Sequence, residues 1–77
     1  MDTPHFIIYA RGLNEEVYEF LCSSKQADDE RSNLIEDVSH EIENIPLYEG
    51  YDPENEETKQ VLKELARSLA LLREGQY

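Results

Sequence analysis

The side chains able to do chemistry in this sequence are one cysteine, two histidines and eighteen carboxylates. Their spacing argues against an active site. A cysteine nucleophile needs a base within reach and a third group to orient that base. Cys22 follows Phe20 and Leu21 on a helical segment and reads as a small buried hydrophobe. His40 has Glu36, Asp37 and Glu43 at helical spacing. Such a set would hold a divalent cation weakly, and the plainer reading is a surface histidine among carboxylates. His5 has no evident partner. The run Asp52-Pro53-Glu54-Asn55-Glu56-Glu57 superficially looks like a calcium loop, which needs glycine at its sixth position and a bidentate glutamate at its twelfth. Those positions hold Glu57 and Lys63, so the match fails. No glycine-rich phosphate loop is present. The expectation is a non-enzyme with no catalytic residue, no metal and no cofactor.

What remains is charge. Twelve acids lie between Asp28 and Glu57 against a single base, Arg31. Outside that stretch acids and bases balance, so the whole net charge of -11 sits in one contiguous segment. Such acidity excludes the basic footprint of a nucleic-acid binder or of an anionic-membrane binder. It also exceeds the magnitude of about 2 to 8 that keeps a small domain soluble. A solubility face would intersperse lysines and arginines for local pairing, and this one does not. Concentrated like charge destabilises the compact state, which points to a basic partner; a merely solvated face is the rival reading. With one cysteine no disulfide framework can form. The longest apolar run, Phe6 to Ala10, is far below the roughly 20 residues that span a bilayer. No basic segment precedes that run to make it a secretory leader, and a cytoplasmic location is expected.

The elements that must position these charges read as follows. Seventy-seven residues, 1-77, make a single domain. Residues 5 to 11 are β-branched and aromatic between Pro4 and Gly12, which predicts a strand. Asn14 is a plausible N-cap for a helix to about Ser24, with Val17, Phe20 and Leu21 facing inward. After a polar break at 23–29, Leu34, Ile35, Val38, Ile42 and Ile45 form an amphipathic stripe within an arc of about 100°. Glu30, Asp37 and Glu41 then fall on one outward ridge, with rises of about 10 and 6 Å between them. Glu36 and Glu43 fall on a second. Pro46 stops this helix. The strand needs a neighbour to satisfy its backbone, and a short strand at 46–51 is the only internal candidate. Asp52 and Pro53 read as the N-cap and first position of a last helix. Val61, Leu62, Leu65, Ala66, Leu69, Ala70 and Leu72 form its inward face, and Gly75 ends it. The expected fold class is therefore α+β, one or two strands packed by three helices.

Five tyrosines and no tryptophan complete the inventory. Tyrosine is enriched at interfaces because it is amphipathic and loses little entropy when fixed. Tyr48 and Tyr51 flank Gly50 inside the acidic stretch, either as an anchor or as a lid on the core. The expected partner-binding residues are Asp28, Asp29, Glu30, Glu36, Asp37, Glu41, Glu43, Tyr48, Glu49, Tyr51, Asp52 and Glu54. In size, acidity, single cysteine and lack of catalytic motifs the chain resembles the small inhibitors that phages and mobile elements use against host defence, the anti-CRISPR and anti-restriction proteins. The resemblance is one of profile and carries no motif, so no residue role transfers from it. It implies a nucleic-acid mimic that blocks a basic site on a nuclease or surveillance complex, without contacting nucleic acid or membrane itself. An antitoxin or immunity protein that neutralises a basic toxin is one alternative. A self-associating structural or adaptor module is another, and the expected state is a monomer or weak homodimer.

Overall fold

A computed structural model of the chain describes residues 3–74. Three α-helices run α1 His5–Cys22, α2 Asp28–Asn44 and α3 Glu56–Glu74, with a 3-10 turn, Ile45–Leu47, closing α2. The described residues contain no strand, which overturns the α+β expectation. The segment expected as a strand is the first part of α1, whose bonding begins with the Ile7 and Ile8 amides donating to the Pro4 carbonyl. Phe6, Ile7 and Ala10 point inward while Ile8 and Tyr9 are exposed, so the apolar run is read out with helical rather than alternating periodicity. Gly12 is an interior helical residue, and Asn14 lies buried in mid-helix instead of capping. Cys22 ends α1 exposed, not buried.

The tyrosine segment is not a strand either. It leaves the 3-10 turn and reverses in a bend where the Tyr51 amide donates to the Tyr48 carbonyl at 3.2 Å. Gly50, at φ +88, takes the left-handed conformation the reversal requires. The start of α3 also differs from the sequence reading. Asp52 Oδ1 accepts the Glu54 amide in a local turn, and the cap is Asn55. Its Oδ1 accepts from Glu57 at 2.8 Å and Thr58 at 3.2 Å. Gly75, expected to end the last helix, lies outside the described residues.

The core follows three seams with the alternating three- and four-residue spacing of a coiled coil. They are Phe6, Ala10, Leu13, Val17 and Phe20 on α1, then Arg31, Leu34, Val38, Glu41 and Ile45 on α2. The third is Thr58, Val61, Leu65, Ser68 and Leu72 on α3, all buried. Leu69, Ile35 and Ile42 pack against this core from its flank and are only half-buried. The inward face of α2 is thus rotated from its apolar stripe, which draws two charged residues inside. Directions alternate up, down, up. Helix α3 packs along both partners, whereas α1 and α2 touch each other sparingly.

Buried polar groups tie the bundle together. Ser68 Oγ donates to Asn14 Oδ1 at 2.7 Å in mid-core between α1 and α3. At one end the Arg31 guanidinium lies 5.1 Å from the Phe20 ring centre and donates to the Leu72 carbonyl. It also donates to Gln26, whose amide nitrogen donates in turn to the Leu21 carbonyl. One arginine therefore links the C-termini of α1 and α3 to the N-terminal turn of α2.

Candidate functional site

The sparse contact between α1 and α2 leaves a groove along that flank, on the side away from α3. It consists of three adjoining concavities. The first, about 470 Å³, is lined by Glu16, Glu19, Phe20, Ser23, Glu30 and Leu34. The middle one, about 220 Å³, is lined by Tyr9, Gly12, Leu13, Glu16 and Asp37. The last, about 500 Å³, is lined by Pro4, His5, Phe6, Tyr9, Tyr48 and Glu49. Glu16 joins the first to the second and Tyr9 the second to the third. From Phe6 to Phe20 the groove follows α1 for about 21 Å.

The Tyr48 end is apolar and aromatic, the Glu30 end is mostly polar with Phe20 and Leu34 beneath it, and the rim is acidic throughout. Glu16, Glu19, Glu30, Asp37 and Glu49 line it, and among the described residues no lysine or arginine does. Among the described residues the one ion pair is Arg11–Glu57, at 3.2 Å, exposed and away from the groove. Arg31, the single base of the acidic stretch, is 5% exposed and bonded to Leu72 and Gln26. Among the described residues the acids of α2 have no ion-pair partner.

The expected site residues sort unevenly. Glu30, Asp37, Tyr48 and Glu49 line the groove. Asp28, Asp29, Glu36 and Glu43 are exposed on α2 outside it. Asp52 and Glu54 sit in the turn before α3, where the Asp52 side chain holds the Glu54 amide. Tyr51 is half-buried against the core and acts as a lid. Glu41 is a correction. Expected on an outward ridge with Asp37, it occupies a core position of the α2 seam and is 5% exposed. Helical geometry puts it beside Val38 and Ile45 as much as beside Asp37, and in the fold Tyr48 lies against it.

Residues the sequence reading left out complete the groove. Tyr9, Gly12, Glu16 and Glu19 follow the same three-four-three spacing as the α1 seam, one step around the helix. That signal was present in the sequence but was masked once residues 5 to 11 were read as a strand. Gly12 is informative here. A Cβ added to it would meet nothing within 4 Å, so the bundle itself has no need of a glycine that costs helix stability.

At the Tyr48 end the electrostatics are unusual. Tyr48 stacks on Phe6, with ring centres 5.5 Å apart and planes 13° from parallel. Its hydroxyl donates to Glu41 Oε2 at a long 3.4 Å. Glu41 Oε1 is buried and has no partner among the described residues. Burial pushes the Glu41 carboxyl above its ordinary range, only partly offset by the Tyr48 hydrogen bond. Both phenols are held above the usual tyrosine range as well, first by desolvation and then by the Glu41 charge. Asp37 and Glu16 add to the effect at Tyr9.

Fold and groove together define a three-helix bundle whose α1–α2 flank is an open, acid-rimmed, aromatic-floored channel. No protein-family model, curated protein or solved structure matches the chain. No described helix is long and apolar enough to cross a membrane.

Proposed function

We propose that this protein is a non-enzymatic inhibitor that occupies a basic, nucleic-acid-binding site on a nuclease or surveillance complex through the α1–α2 groove. The observation that carries the reading is a groove rimmed by five carboxylates with no lysine or arginine among the described residues that line it. The stretch's own arginine is turned into the core instead. A rim of that kind repels itself and anything anionic, and it attracts lysine- and arginine-rich surfaces over about a Debye length. Carboxylates gathered along one groove offer a basic site the kind of charge that a duplex offers through its phosphates. The apolar floor adds the desolvated contact area that charge alone does not supply.

The test is capture of a basic partner by the immobilised protein, followed by elution with duplex DNA. Release by DNA, and loss of capture in Glu19→Lys with Glu30→Lys, is the expected outcome. The outer-face pair Glu36→Lys with Glu43→Lys should retain capture. Capture that DNA cannot displace, or equal loss in both pairs of variants, would remove the nucleic-acid-site reading.

A further inference from the structure

Glu41 does not fit a purely structural account. A carboxylate at a core position normally has its oxygens satisfied, because an unpaired buried charge costs more than the pair contributes. Glu41 has one long hydrogen bond to Tyr48 and one oxygen with none. The guanidinium on the same seam, Arg31, is ten residues away at the other end of the bundle and faces Leu72. Glutamine would fill the same volume without the charge.

The surroundings of Glu41 show what the charge is suited to. Tyr48, which bonds it, and Tyr9, whose ionisation its charge opposes, are both walls of the largest concavity of the groove. Phe6 stacks behind Tyr48, and Glu49 stands at the rim. Tyr9 and Tyr48 are 57% and 38% exposed, so each has room to shift toward solvent. The arrangement is an aromatic-walled opening with a buried, underbonded carboxylate behind its Tyr48 wall; Glu41 does not itself line the opening and is reached where the Tyr48 hydroxyl gives way. A long apolar stem ending in a flat, multidentate cation matches it. The stem packs on Phe6 and Tyr9, the cation lies against a tyrosine face, and its fork of donors satisfies Glu41.

We propose that the concavity walled by Phe6, Tyr9 and Tyr48 is a receptacle for an arginine side chain of the partner, with Glu41 as its carboxylate. This rests on the reading of the groove as a binding face for a basic protein. It adds the chemical identity of the anchor. Arginine is favoured over lysine because a fork can bond both Glu41 oxygens while its plane stacks, and a single ammonium cannot do both. Occupation exchanges the weak Tyr48–Glu41 contact for charge-assisted bonds.

The experiment is titration of the isotopically labelled protein with N-acetyl-arginine amide, followed by backbone amide shifts. Three comparison probes are used: the lysine amide, the neutral citrulline amide and the arginine amide against Glu41→Gln. Shifts at Tyr9, Glu41 and Tyr48 that saturate at concentrations on the order of millimolar are expected. Glu41→Gln, isosteric and folded by its melting curve, should weaken binding about tenfold or more, since the charge-assisted bonds are lost. Citrulline amide should not bind, and lysine amide should bind several-fold more weakly. Equal binding of lysine and arginine, shifts spread evenly over the acidic stretch, or affinity unchanged in Glu41→Gln would each overturn the receptacle. Glu19→Lys with Glu30→Lys, at the far end of the groove, should keep the arginine amide response while losing the basic partner. Failure of the groove and failure of the receptacle are therefore read separately.

Discussion

Arg31 Nη1 donates to the backbone carbonyl of Leu72 across the bundle at 2.8 Å, so the last turn of α3 is capped by a side chain from the first turns of α2. The last carbonyls of a helix have no intrahelical partner, and the dipole there favours a cation. Arg31 answers both needs while its guanidinium lies over Phe20. Arg31→Met keeps the stem and removes the fork. It should lower stability by about 1.5 to 3 kcal/mol, the value of a hydrogen bond to a charged group. Arg31→Lys should recover only part of this, because one ammonium cannot serve Leu72 and Gln26 with a planar fork. Urea melts of the three proteins decide it; equal midpoints would show the cap to be idle.

The pH dependence of stability should carry the mark of Glu41. Burial raises its folded-state titration above that of the unfolded chain, so the native state binds the proton more readily. Stability is then highest below the unfolded value, about 4.3. It falls as pH rises through the interval up to the folded one. The groups that face Glu41 are Tyr48 and Tyr9, both raised above the usual tyrosine range and so neutral over this interval, with Asp37 and Glu16 acting on Tyr9. The wild type should melt higher near pH 5 than near pH 8 at low ionic strength. Glu41→Gln should be the more stable protein at pH 8 and show a shallower slope. Tyrosinate absorbance should also appear at lower pH in that variant. A slope unchanged by the substitution would assign the effect to the exposed acids.

Much of the helical pattern was legible in the sequence, and the failures have definite physical causes. Helix α2 and its stop at Pro46 were readable because the apolar period is long and proline is unambiguous. The first helix was legible only in its second half, from Asn14, because Phe6 to Ala10 is too short to separate periods of 2 and 3.6. Gly12 then looked like a boundary although glycine is tolerated inside a helix. The acidity of the surface was legible as composition. Its distribution was not, since which acids rim a groove depends on α1 and α2 lying apart. Arg31 is buried where it meets Leu72 of α3, and Glu41 where the Tyr48 turn folds over it, contacts to which a pattern read along α2 alone is blind.

Gly12 offers a test that separates folding from binding. Its backbone is helical, and an added Cβ would meet open space. Gly12→Ala should therefore stabilise the bundle by about 0.5 to 1 kcal/mol. A bulkier Gly12→Gln should fold as well but obstruct the middle of the groove and weaken the partner complex. Denaturant melts and a binding titration on both variants give the answer. Undiminished binding in Gly12→Gln would show that no partner approaches α1 at this point.

Leu65 and Leu69, equivalent in the sequence reading, should behave differently. Leu65 is fully buried on the α3 seam, whereas Leu69 is half-buried on its flank. Leu65→Ala should cost about 2 to 5 kcal/mol, a loss that can approach the total stability of so small a domain. Leu69→Ala, which opens toward solvent and leaves no closed cavity, should cost distinctly less. Thermal midpoints that fall together would place Leu69 in the core after all.

The Asn14–Ser68 pair tests whether a polar layer inside the bundle specifies its packing. Ser68 is fully buried and Asn14 nearly so, and the Asn14 Nδ2 has no partner among the described residues. Ser68→Ala alone leaves the Asn14 amide with neither group satisfied, which should cost about 1 to 3 kcal/mol. Adding Asn14→Val removes the stranded amide at similar volume, and the double variant should recover most of that loss or exceed the wild type. The difference between single and double variants is the coupling of the pair. If the layer fixes the register of α1 against α3, as buried polar residues do in coiled coils, the double variant gains stability but loses uniqueness. Its amide spectrum should broaden, or it should sediment as a mixture of species, even as its melting midpoint rises. A double variant that is both more stable and as sharply resolved as the wild type would show that the apolar seams alone set the register. The hydrogen bond would then merely compensate for two polar side chains lying in the core.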